Sequence, residues 1–213
     1  MDRSSTRRQA DPLPEPLFLG NQLTLDFVNT RPLIDRRLIE LLPDFAALLR
    51  WFREAGLLNS REAEALRRKW GSSVRARQAT GAMRQWRERL RKQILLWERG
   101  GSLQRSMLEE LNTLIAAHPM RTRIKTEGKK YSTELWFGPR VPEDLFAPLA
   151  QSAASLFSDL DRKRVRKCPK CVLHFFDTSK KGTRRWCSMQ LCGNRLKVAA
   201  YAARRRNHTR TRG

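Results

Sequence analysis

Much that would mark a familiar class is missing from this chain of 213 residues. No apolar run approaches the ~18 residues a membrane-spanning helix requires. The opening Met1-Asp-Arg-Ser-Ser-Thr-Arg-Arg has none of the apolar stretch of a secretory signal. A cytoplasmic protein without a membrane partner is therefore expected. Histidines number only three, at 118, 174 and 208, and no glycine-rich phosphate loop occurs. With no cluster of nucleophile, base and acid, the sequence does not point to an enzyme. Acidic residues almost vanish from the C-terminal quarter: residues 162–213 hold 17 Lys and Arg against Asp177 alone, a net +16. Residues 1–161 hold 27 bases and 20 acids, so they carry only +7 of the total +23. Cysteine is absent everywhere except in one stretch of 25 residues, which contains all four.

Those four are Cys168-Pro-Lys-Cys171 and, with fifteen residues between the pairs, Cys187-Ser-Met-Gln-Leu-Cys192. A turn with two intervening residues aims both sulfurs the same way. Two such pairs make a closed thiolate site, which is most often structural zinc, and in a reducing cytoplasm a metal is favoured over disulfides. The second pair has four intervening residues rather than two. His174 is either a competing ligand or part of the packing beside the site.

An excess of positive charge on this scale beside a metal motif points to a polyanion, with nucleic acid ahead of a membrane surface. A membrane surface would call for a long apolar helical face, which the tail lacks.

Along the chain, residues 1–16 are polar, carry three prolines and read as disordered. In Leu17 to Thr30, alternation at Leu23, Leu25 and Phe27 suits a strand, and a buried helical turn fits the same residues. Asp26 and Asn29 in this apolar stretch need hydrogen-bond partners. They either tie the segment to neighbouring backbone or line a small-molecule pocket. Helices are expected from Asp44 to Gly56, from a cap at Ser60 to Trp70, and after Gly71-Ser-Ser. In this last one Met83, Trp86, Leu90, Ile94 and Trp97 face inward and Arg84, Arg87, Arg89 and Arg91 outward. Leu103, Met107, Leu108, Leu111, Leu114 and Ile115 mark a further helix, ended by Pro119. The Thr- and aromatic-rich segments at 121–126 and 131–137 predict a β-hairpin about Glu127-Gly-Lys-Lys. Pro148 suits a helix start, and Leu149, Ala153, Leu156, Phe157 and Leu160 form its stripe. No long linker separates this helix from the cysteines, so the two parts should lie close together.

Within the cysteine region, Leu173 to Asp177 and Arg184 to Trp186 read as two short strands. Ala199, Ala200, Ala202 and Ala203 favour a helix beginning near Cys192. That order is treble-clef-like: a metal fastens a hairpin to a helix start. So small a module has little core, and metal binding would supply most of its folding energy. Arg184, Arg185 and Arg195 either pair with Asp177 or hold phosphate. Lys197, Arg204, Arg205 and Arg206, with Arg210 and Arg212, are the expected phosphate contacts.

Four motifs, Cys168-x-x-Cys171, Phe176-Asp-Thr-Ser179, Arg184-Arg-Trp-Cys-Ser-Met189 and Cys192-Gly-Asn-Arg195, resemble the CGNR zinc-finger family. Leu25-Asp-Phe-Val-Asn-Thr30 is similar to the opening motif of the ABATE domain. That domain precedes the CGNR finger in bacterial proteins described as stress-induced transcription regulators. The resemblance implies zinc on Cys168, Cys171, Cys187 and Cys192, and DNA as partner. The full expectation is an α+β protein: a disordered segment 1–16, a mainly helical ABATE-like domain 17–161 with a β-hairpin, a zinc module 162–206 and a basic tail 207–213. The module would bind duplex DNA at the nucleoid, and the N-terminal domain would sense a small-molecule effector or form a homodimer. The rival reading is an RNA- or ribosome-associated zinc protein.

Overall fold

A computed structural model of the chain describes residues 17–34 and 37–193. About half of it is helical, with small two-stranded hairpins. The first element resolves the choice left open by the sequence: Leu23–Val28 is a helix, α1, capped by Gln22, whose side chain accepts from Leu25 N–H. Thr24, Leu25, Asp26, Phe27 and Val28 are all buried. A helix buried on every side shows no polar stripe, so its period cannot be read from sequence.

The short strands β1 (Leu33–Ile34) and β2 (Arg37–Leu38) form a hairpin. Helix α2, Phe45–Glu54, starts on the Asp44 cap and is followed by Gly56 at φ +74°, a left-handed position that glycine occupies without strain. Helix α3, Ser60–Trp70, starts one residue earlier than expected: Asn59, not Ser60, caps it, in a reciprocal box with Glu62. Helix α4, Val74–Glu98, is the long spine, and Met83, Trp86, Leu90, Ile94 and Trp97 are buried along it as expected. Its arginines are not all outward. Arg87 is 1% exposed and makes a bidentate bond to Glu40 at 2.8 and 2.6 Å and another to Thr30 Oγ1 at 2.9 Å. The fork of a guanidinium matches a carboxylate, and this pairing is what permits its burial. Burial works against the Glu40 charge, yet these bonds hold its carboxyl below the usual range.

Helix α5, Arg105–Ala117, buries Met107 and Leu111, while Leu108 is exposed. The strands β3 (Arg121–Glu127) and β4 (Lys130–Trp136) form the expected hairpin, in register from Arg121↔Trp136 to Glu127↔Lys130. It projects from the body, with Ile124, Tyr131 and Leu135 exposed. A 3-10 turn, Pro142–Leu145, runs into α6, Phe146–Ser158, so the helix begins two residues before Pro148. The main core is aromatic. Phe27 lies 5.8 Å from both Trp51 and Trp86, Trp86 meets Phe146 edge-on at 5.6 Å, and Trp97 meets Phe157 at 5.2 Å.

The chain then enters β5, Val165–Lys167, which pairs antiparallel with β6, His174–Phe176. The expected partner of this strand, residues 184–186, forms no strand. The reason is geometric: the turn at Cys168–Cys171 folds the chain straight back, so the residues just before it become the neighbours of those just after. The helix expected after Cys192 and the basic tail lie outside the described residues, as does the segment 1–16. No helix among the described residues is long and apolar enough to cross a membrane.

Candidate metal centre

The turn between the first two cysteines is closed by Cys168 N–H donating to Leu173 O at 2.8 Å. Leu173 N–H in turn donates to the Cys171 sulfur. Cys187 follows Trp186, and Cys192 sits in a helical turn, Met189–Gly193, where its N–H reaches Ser188 O at 3.0 Å. This turn accounts for the wider second spacing: four intervening residues of helical backbone bring Cys192 back over Cys187. The four sulfurs lie within 4.8 Å of one another, with Cys171, Cys187 and Cys192 separated by 3.5 to 3.6 Å. A tetrahedral ion with metal–sulfur bonds of about 2.3 Å places its sulfurs about 3.8 Å apart, so the donor set fits.

The electrostatics agree. No disulfide joins these residues, and Cys168, Cys187 and Cys192 are buried. The bond from Cys187 pushes the Cys171 thiol down to about 5, and the same pairing pushes Cys187 up. Burial raises Cys192 to about 12. A divalent cation at the centre would let all four ionise. The four cysteines thus make a metal site.

Arginines hold the loop around it. Arg164 donates to the carbonyls of Asp177 and Ser179, and Arg166 to those of Gly182 and Arg184. Arg184 bonds the carbonyls of Trp186 and Cys187 and lies over the Phe175 ring. Its guanidinium therefore does not pair with Asp177. The Asp177 carboxylate instead accepts the backbone N–H groups of Ser179 and Arg184 at 2.9 and 2.7 Å. Burial opposes its charge, but these bonds and nearby Arg166 keep it below the usual range. Arg185 is exposed and lies 5.4 Å from the Trp186 ring. Arg195, Lys197, Arg204, Arg205 and Arg206 lie outside the described residues.

Strand β6 is a wall shared by two cores. Successive side chains of a strand point to opposite faces. Leu173 and Phe175 enter the cysteine cluster, and Phe176, with its partner Val165, joins the main helical core. Helix α1 lies against this strand. Asn29 clamps His174 twice, donating to its carbonyl and accepting its N–H, both at 2.8 Å. Asp26 holds Gly20 N–H at 2.7 Å, and Gly20 O accepts Phe176 N–H at 2.7 Å. A Cβ on Gly20 would lie 2.8 Å from Asp26 N and Leu25 Cβ, so this approach needs glycine. Burial raises the Asp26 carboxyl to about 6 against the N–H groups of Gly20 and Leu19. Thr30 completes the motif by bonding Arg87. The polar residues of Leu25-Asp-Phe-Val-Asn-Thr30 are thus engaged with backbone and Arg87 at the junction with the cysteine module.

Two clefts border that junction. One, of about 410 Å³, is lined by Glu98, Arg162, Lys163, Arg166, Lys167, Pro169 and Arg185. Sequence reasoning passed over Arg162, Lys163 and Lys167 as part of a charged run. No local pattern separates them from Arg164 and Arg166, which are engaged with loop carbonyls. The second cleft, of about 180 Å³, is lined in part by Arg31, Arg91 and His174. Neither has Asp26 or Asn29 in its lining.

Comparison with known proteins agrees with this architecture. No curated protein matches the chain. Residues 164–205 match the CGNR zinc finger family. Residues 21–160 match the ABATE family, whose description is "Putative stress-induced transcription regulator". The main-core helices and the cysteine module correspond to these two matches in order, and the chain belongs to the ABATE family, with a CGNR zinc finger following the ABATE domain.

Proposed function

We propose that the protein is a bacterial transcription regulator whose cysteine module, fastened by zinc, binds duplex DNA. In this reading Cys168, Cys171, Cys187 and Cys192 hold the ion, which supplies folding energy rather than chemistry, because four sulfurs close its coordination shell. The protein acts by binding and not as an enzyme. The helical domain senses a signal or pairs two copies.

The observation that carries the DNA reading is the division of labour among the cations. Arg164, Arg166 and Arg184 are consumed by backbone carbonyls. Arg162, Lys163, Lys167 and Arg185 instead surround one cleft of about 410 Å³. Among the described residues, these four enter no ion pair. Cations left free beside a region of net +16 suit a phosphate backbone. The family description supports a regulatory role.

The test is a salt titration of binding to duplex DNA by the zinc-loaded protein. Each phosphate contact contributes about 0.9 to the slope of log K against log salt. Replacing Arg162, Lys163, Lys167 and Arg185 by Gln together should lower the slope by up to about 3.6. An unchanged slope contradicts the role of this cleft. A marked preference for structured RNA over duplex DNA contradicts the transcriptional reading and favours the RNA-associated one.

A further inference from the structure

The smaller cleft between the helices and the cysteine module combines features that its neighbours lack. His174 lines it, is 1% exposed, and has no hydrogen-bond partner on either ring nitrogen. The nearest carboxylate oxygen, on Glu98, stands 4.0 Å from Nε2, beyond hydrogen-bond reach. Arg91 also lines the cleft, and its buried Nε makes no hydrogen bond, although its outer nitrogen bonds the Val28 carbonyl. Buried polar atoms are nearly always paired, and two of these three, Arg91 Nε and the one N–H of a neutral His174 ring, are donors that call for an acceptor.

The rest of the lining defines what that acceptor is. Arg31, Arg91 and Lys167 bring three positive charges. Among the described lining residues the only acid, Glu88, already faces Arg31 at 3.5 Å, Arg87 at 3.0 Å and Arg91 at 3.8 Å. The site therefore favours an anion. Its other walls, Leu38, Leu95 and Val172, are apolar. A bare inorganic anion leaves those walls without a partner. A volume of about 180 Å³ is below the ~300–1,000 Å³ of pockets for drug-sized ligands and nucleotides.

We propose that this cleft binds a small organic carboxylate, its charged end toward Arg91 and His174 and a short apolar body against Leu38, Leu95 and Val172. The site takes residues from both family segments: Arg31, Leu38, Glu88, Arg91 and Leu95 from the ABATE span, and Lys167, Val172 and His174 from the zinc finger. A ligand there touches the helical domain and the turn that carries Cys171 at once. This inference does not depend on nucleic-acid binding and is tested without it.

The experiment titrates the zinc-loaded full chain with butyrate and benzoate and follows the imidazole nitrogens by NMR. Only His118, His174 and His208 contribute signals, so His174 can be followed by itself. The proposal predicts a saturable shift of the His174 nitrogens with a carboxylate and none at His118. It also predicts a rise in Tm of about 3 °C at ten times the dissociation constant. Leu38→Trp tests the site without touching a buried residue, since Leu38 is 51% exposed. This variant should fold normally and lose the shift. Inorganic phosphate at equal ionic strength should leave the His174 signals in place. A His174 spectrum indifferent to both carboxylates, an equal response in Leu38→Trp, or a phosphate response as strong as that to butyrate would each overturn the proposal.

Discussion

Among the described residues, the main core of the helical domain gathers 26 buried side chains around tryptophans and phenylalanines in tilted and edge-on contact. The cysteine module gathers five, and three of those are cysteines: Cys168, Cys187 and Cys192, with Leu173 and Phe175. The first region can hold its shape by apolar burial, at about 25 cal/mol per Å² removed from water. The second cannot. It relies on converging sulfurs, on Arg164, Arg166 and Arg184 bonded to loop carbonyls, and on Asp177 bonded to backbone N–H groups. Small folds with little core need such staples. The strand they share belongs to both regimes. Phe176 and Val165 are anchored in the helical core, and Leu173 and Phe175 face the metal site. The line between metal-dependent and metal-independent structure should therefore fall at β6, inside the zinc-finger segment and not at its edge.

The largest expected effect comes from the staple. Cys187→Ser removes a fully buried ligand and leaves three sulfurs for the ion. The region from Asp177 onward should lose its fixed structure and become open to proteolysis. The far-ultraviolet dichroism of α2 to α6 should stay close to wild type, because that core does not use the metal. Loss of helical signal in step with loss of metal would erase the distinction between the two regions.

A smaller effect tests the seam. Asn29→Ala leaves the buried N–H and C=O of His174 without partners. Each costs about 1–3 kcal/mol, so a loss of about 2–6 kcal/mol in urea unfolding is expected, with metal content unchanged. A loss within 0.5 kcal/mol, the usual range for surface changes, would mean that α1 does not hold the strand.

The smallest effect depends on pH. Burial, with Arg91 and Lys167 nearby, lowers His174 from 6.5 to about 3. The neutral ring costs nothing above its unfolded pKa. As pH falls from 6.5 toward 3, the unfolded chain takes up a proton that the folded chain refuses, so stability is lost through that window. Between about pH 7.5 and 5.5 the wild type should lose about 1.4 kcal/mol more than His174→Gln. Parallel pH profiles for the two proteins would show that the ring is not held neutral at the seam.

Much of this was legible in the sequence, for identifiable reasons. Four cysteines in two close pairs, with none elsewhere, leave few arrangements. Helices α2 to α6 announce themselves by apolar spacing and by stops such as Gly56, and hairpin β3–β4 by its Thr- and aromatic-rich arms around a short turn. What failed was structure set by distant partners. Arg87 looks solvated until Glu40, 47 residues away, folds over it. Asn29 and His174 are 145 positions apart, and nothing local to either names the other. Strand β5 was hidden because Val165 is its one apolar residue in a run of cations, so its pairing was assigned to residues 184–186 instead. Helix α1 was ambiguous because it is buried all round. Asp26 and Asn29 were read as either a tie or a pocket, and their polar atoms meet the backbone of Gly20 and His174.

The most direct test of the shared wall is native-state hydrogen exchange, residue by residue, with the metal bound and after chelation. The His174 amide donates to Asn29 and the Phe176 amide to Gly20, so both should keep most of their protection without metal. The amides of Gly182, Arg184 and Cys192, which depend on the loop around the sulfurs, should exchange freely. Uniform loss of protection across 165–193, or none at all, would contradict the division at β6.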